Sequence, residues 1–242
     1  MRLLPIAIAA ATVCLLAATA WPRTPGDGAT TAPAPPAAAT EKGTEKGTEQ
    51  PADAPRYPEL TAVIVTSRGE MRARLFPNEV PRIVANFVNL AGRKYYDGMA
   101  FHSVARGFQV HTGDPTGTGN GGPGYTVEPQ YSGKVLFDEA GVLSMWTTSK
   151  RVGSQFFITL RPNERKLNLN QAAFGKLTAG LEVAEAIQKG DALEEVRVEG
   201  DATLLLQDFA PEIAGWNATL DQRSRTKSGG DQERRRDRTG ED

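Results

Sequence analysis

At 242 residues, with 39% hydrophobic and 24% charged residues, the chain can bury one sizeable core. Its formal net charge of −1 supplies no overall field to draw it to nucleic acid or an anionic membrane. The single cysteine, Cys14, lies in the N-terminal apolar run and the only histidines are His102 and His111, so the folded part offers no disulfide, no thiol nucleophile and no metal-ligand cluster; no cofactor or metal is expected.

After Met1 and Arg2, residues 3–20 are almost wholly apolar and end in Ala18-Thr19-Ala20, a small-x-small cleavage pattern. Residues 1–20 therefore read as a secretory signal or, left uncut, as an N-terminal anchor that contacts or spans the membrane. Either reading predicts an exported protein of the periplasm or cell envelope. Residues 21–56, with Pro33-Ala34-Pro35-Pro36 and the near-repeat Glu41-Lys42-Gly43-Thr44, Glu45-Lys46-Gly47-Thr48, read as a disordered linker.

The folded domain is expected over 57–210. Runs at 60–66 and 71–76 flank Ser67-Arg68-Gly69, and Met71, Ala73 and Leu75 alternate with Arg72 and Arg74, the pattern of a hairpin with one wet face. Asn78 and Pro81 mark a helix start, Val80, Ile83, Val84, Phe87 and Ala91 recur at helical spacing, and Gly92 ends the run. Short strands follow at 100–104, 108–111, 141–145 and 155–160, with Gly-rich connections between them. A second helix is predicted over 181–188, before Gly190, and 194–198 and 203–206 close the list of strands. Many short strands and two helices predict a mainly β fold, a closed antiparallel barrel capped at its ends. Beyond 210 the chain reads as a disordered, charged tail running to 242, with Arg234-Arg235-Arg236 flanked by acids.

The loop 114–124 is rich in glycine but lacks the Gly-Lys-Ser/Thr ending of a phosphate cradle, so it reads as a turn-rich connection. Phe156 and Phe157 are adjacent on one predicted strand, so only one of them can face the core.

Three segments resemble the cyclophilin family: Phe101-His102-Ser103-Val104-Ala105-Arg106-Gly107-Phe108-Gln109-Val110-His111-Thr112-Gly113-Asp114, Gly141-Val142-Leu143-Ser144-Met145, and Gly153-Ser154-Gln155-Phe156-Phe157-Ile158 with Phe174-Gly175-Lys176 as a following turn. The resemblance implies an eight-stranded antiparallel barrel capped by two helices, a groove on its outer surface, and peptidyl-prolyl cis-trans isomerase activity. A proline ring would drop between Phe108 and the outward Phe157 while its preceding amide is twisted. That rotation crosses about 18–20 kcal/mol because the amide nitrogen shares its lone pair with the carbonyl. It needs no covalent step, only a site that fits the twisted amide better than the planar one.

In the family an arginine donates toward the prolyl nitrogen; the matching position here is Ser103. Phe108, Gln155, Phe157 and Leu167 match the pattern, whereas Gln109, His111, Trp146, Thr147 and Gln171 stand at substrate-binding positions that differ from it, and Lys166 stands where the family has a tryptophan. Arg106 and Arg151 are the candidates to replace the missing guanidinium, although Arg106, three residues from Ser103, points to the opposite strand face. Two functions follow as expectations. One is a monomeric prolyl isomerase, with full or reduced activity, acting on proline-containing segments of exported proteins; the other is a non-catalytic module that binds the same segments.

Overall fold

The computed structural model describes residues 56–149, 151–163, 167–168 and 170–239. The expected leader and most of the linker, residues 1–55, lie outside them, as does Lys166.

Strands β1 (Thr61–Thr66) and β2 (Gly69–Leu75) form the predicted hairpin, in register from Thr66 opposite Gly69 to Thr61 opposite Arg74. The turn is closed by Thr66, whose hydroxyl donates to Gly69 O at 2.9 Å and accepts from the Arg68 N–H at 3.1 Å. Met71, Ala73 and Leu75 enter the core, as their alternation requires. The opposite face is drier than expected, because Val63 lies between Arg72 and Arg197 on the neighbouring strands and is fully buried. The arginine stems cover it while their guanidinium groups pair with Glu70, Glu195 and Glu199.

Helix α1 (Pro81–Gly92) starts with proline in its first turn and buries Ile83, Val84, Phe87, Val88 and Leu90. The remaining strands are β3 (Met99–Ala100), β4 (Ser103–Ala105), β5 (Gln109–Thr112), β6 (Val142–Thr148), β7 (Arg151–Thr159), β8 (Ala172–Ala179) and β9 (Ala192–Glu199). All nine pair antiparallel in the order β3-β9-β1-β2-β8-β6-β7-β5-β4. The mainly β, barrel-like architecture is the one expected, with nine strands instead of eight. Its edges, β3 and β4, are consecutive chain segments joined by Phe101 and His102, so the sheet curls until its ends meet along the chain. Its centre holds Phe87, Tyr96, Phe156 and Phe174, with ring centroids 4.9–6.4 Å apart.

Three expectations are corrected. Phe174-Gly175-Lys176 is not a turn but the middle of β8: Gly175 lies opposite Leu75, and a Cβ there would sit 2.9 Å from Arg74 O, so glycine permits close approach of two strands. Residues 203–206 are not a strand. They begin helix α3 (Thr203–Asp208), which follows the short α2 (Leu181–Ala186) and buries Leu205. The disordered tail expected beyond 210 is instead helix α4 (Ala210–Thr239), so four helices, not two, occur among the described residues. Ile213, Trp216 and Leu220, at helical spacing, pack on the core; Trp216 stacks on Tyr125 at 5.7 Å with the rings 7° apart. Asn89 Nδ2 donates to Asn217 Oδ1 at 3.0 Å and Arg93 pairs with Asp221, fixing α4 against α1.

Candidate functional site

Alternation along β7 separates the two adjacent phenylalanines. Phe156 enters the main core, and Phe157 enters a second apolar cluster with Phe137, Val142, Leu167 and Ala173, partly covered by Val135 and Trp146. Strand register then builds a row across the sheet: Ser103 opposite His111, His111 opposite Phe157, Phe157 opposite Ser144. Paired residues share a face, so Ser103, His111 and Phe157 lie side by side, with strands about 4.8 Å apart.

The row does not form an open slot. Phe157 has no exposed surface; His111 stacks on it at 5.2 Å, and Trp146 meets His111 at 5.1 Å and Phe157 at 6.2 Å. Trp146 falls at the irregularity in the β6–β7 register, where its indole can lie across the neighbouring strand. Phe108, expected as the opposite wall, belongs to neither apolar cluster; half-buried before β5, it carries the Arg161 guanidinium 5.0 Å from its ring centre. The open slot walled by Phe108 and Phe157 is corrected to a floor, Phe157, roofed by the rings of His111 and Trp146.

The polar residues are largely committed inward. The Thr147 N–H donates to Gln171 Oε1 at 2.9 Å and Gln171 Nε2 donates back to Thr147 O at 3.4 Å, so Gln171 occupies the backbone groups that a peptide at Thr147 would use. Gln155 Nε2 donates to Gly119 O at 2.9 Å and Gly121 O at 2.7 Å, tying the glycine-rich loop to β7. The Gln109 amide lies 2.6 Å from His111 Nε2, and Gln109 Oε1 is buried with no hydrogen-bond partner among the described residues. Leu167 is buried in the outer cluster, and Ser103 stands exposed on the edge strand.

Burial, with a smaller contribution from His102, pushes the His111 imidazole down to about 4. The ring is therefore neutral near pH 7 and provides no cation beside Ser103. In the loop behind it, burial pushes the Asp114 carboxyl upward, but donors from the Thr116 backbone and hydroxyl and the Gly121 and Gly119 backbones outweigh that and hold it at about 2. This carboxylate organises the loop, receiving the Thr116 N–H at 2.7 Å and the Gly119 N–H at 2.5 Å.

The two arginines considered as substitutes separate. Arg106 lines a different hollow, with Arg68 and Glu185, while Arg151 lies beside Trp146 and donates to Thr126 Oγ1 at 2.9 Å. Sequence reasoning missed Arg161 above Phe108 and Arg223, which α4 brings beside the glycine loop. The signal for Arg223 was present in the spacing of Ile213, Trp216 and Leu220 just before it.

The curled antiparallel sheet and its sequence match known proteins. Residues 61–205 match the family model for cyclophilin type peptidyl-prolyl cis-trans isomerases. Peptidyl-prolyl cis-trans isomerase B of Bacillus subtilis is 48% identical over 127 residues, covering 52% of this chain and 88% of that protein. The probable peptidyl-prolyl cis-trans isomerase A of Mycobacterium leprae is 41% identical over 134 residues, covering 49% and 73%. A cyclophilin type peptidyl-prolyl cis-trans isomerase of Cryptosporidium parvum, solved in the presence of the dipeptide Ala-Pro, superposes with a TM-score of 0.55 at 30% identity, covering 58% of this chain and 99% of that one. The chain belongs to the cyclophilin type peptidyl-prolyl cis-trans isomerase family of enzymes.

Proposed function

We propose that the chain is a prolyl isomerase of low turnover, acting on proline-containing segments of exported proteins. The observation that carries the low turnover is the row itself: where the family's arginine would stand, Ser103 lies beside a neutral His111, and neither side chain is a cation. Losing one preorganised donor typically costs about 10² to 10³ in rate. The apolar N-terminal run supports export, and the solved relative with Ala-Pro supports a proline-containing substrate.

A second reading, a module that binds proline segments without turning them over, is favoured by the same lack of a cation at Ser103 and His111, which removes a donor that turnover needs and binding does not. Isomerisation of a short X-Pro peptide, followed with and without the protein, separates the two. The first reading expects a slow but measurable acceleration that Ser103→Arg raises at least about tenfold. No acceleration by either form, with binding retained, removes the isomerase reading and leaves the binder; Trp146→Ala should then tighten that binding.

A further inference from the structure

A hollow of about 600 Å³ lies between the loop 119–126, Trp146, the start of β7 and Arg223 of α4. Arg151 and Arg223 both line it, and no carboxylate does. Neither has an acidic partner among the described residues, whereas Arg56, Arg68, Arg72, Arg82, Arg93 and Arg197 each have one.

The Arg151 guanidinium is tied down without being neutralised, and the Arg223 guanidinium lies against Gly124. Arg151 is fixed through Thr126 Oγ1, which uses a single N–H of its five. The Arg223 stem lies directly on Gly124, where φ is +95° and an added Cβ would meet Arg223 Cδ at 2.6 Å and Nη1 at 2.7 Å. Only glycine lets that side chain rest there. The helix beneath it is anchored by the Trp216–Tyr125 stack and the Arg93–Asp221 pair. Arg223 lies beyond the family-matched residues 61–205, so this charge comes from a segment the family pattern does not include.

Gly153, Gln155 and Phe157 alternate onto one face of β7, which places the hollow about 7–13 Å from Phe157 at roughly 3.3 Å per residue. An extended peptide with its proline against His111 and Trp146, the rings that cover Phe157, reaches it in about two to four residues. We propose that this hollow receives an aspartate or glutamate side chain of the bound segment, making the protein selective for acidic proline-containing sequences. The proposal rests on proline segments binding along the row that covers Phe157 and specifies which of them are preferred.

The test measures binding by the full-length chain, independently of turnover. Fluorescent single-proline peptides carry Glu, Gln or Lys three residues before the proline, or three residues after it. At low ionic strength, in one of the two placements, the Glu peptide is expected to bind about tenfold tighter than its Gln counterpart and the Lys peptide more weakly still, with the gap shrinking to about twofold at roughly 0.5 M salt. Arg223→Glu should invert the order, while Arg106→Glu, in the separate hollow, should leave it unchanged; circular dichroism checks that each variant is folded. Equal binding of Glu and Gln peptides in both placements, or a preference that survives Arg223→Glu, overturns this proposal and leaves proline-segment binding standing. Failure of every proline peptide to bind overturns both.

Discussion

Acidification should destabilise this protein through His111 in particular. The side chain is 8% exposed, and its imidazole is held near 4 in the fold against about 6.5 in an unfolded chain. Between those two values the unfolded state takes up a proton that the folded state refuses, so stability is fully present above pH 6.5 and declines as pH falls toward 4. At about 1.4 kcal/mol per pH unit the loss reaches about 3 kcal/mol, a large share of a typical domain's stability. His102 is displaced in the same direction, chiefly by burial, and is common to both proteins compared. Urea unfolding of the parent and of His111→Gln, measured from pH 7.5 to 4.5, isolates the effect, because the carboxylates that titrate there are shared. The stability difference between the two should shift by about 2–3 kcal/mol in favour of the variant over that interval. Parallel curves would show that the imidazole protonates freely in the fold, and the account of His111 as a desolvated neutral ring would be wrong.

Asn86 is fully buried, donates to Gly153 O at 3.0 Å and accepts from the Tyr125 hydroxyl at 2.9 Å. Asn86→Ala strands both partners and should cost about 2–4 kcal/mol in chemical denaturation; a cost below about 1 kcal/mol would mean water replaces the amide. Trp216→Ala should cost about 2–4 kcal/mol and increase hydrogen exchange along both α4 and the Tyr125 segment, since the stacked rings are their link. Faster exchange confined to α4 would show that the helix does not support the glycine loop.

Much of the fold was legible because local patterns and burial agree. Strand β2 of the hairpin and helix α1 follow from period-2 and period-3.6 repeats whose apolar positions enter one core. Strand β8 was hidden because Gly175 looks like a turn residue until the approach of β2 is known. Helix α4 was hidden because three apolar residues, Ile213, Trp216 and Leu220, carry its docking within an otherwise polar stretch.

The sequence by itself determined the family, since a motif survives substitution at single positions. It also determined that Phe156 and Phe157 face opposite ways, because strand alternation is a property of the backbone alone. Only the tertiary structure decided that Trp146 and His111 close over Phe157, that Gln171 engages Thr147, and that Arg223 reaches the loop 119–126. Those outcomes depend on side-chain size and direction across strands distant in the chain, where no local pattern constrains what meets what.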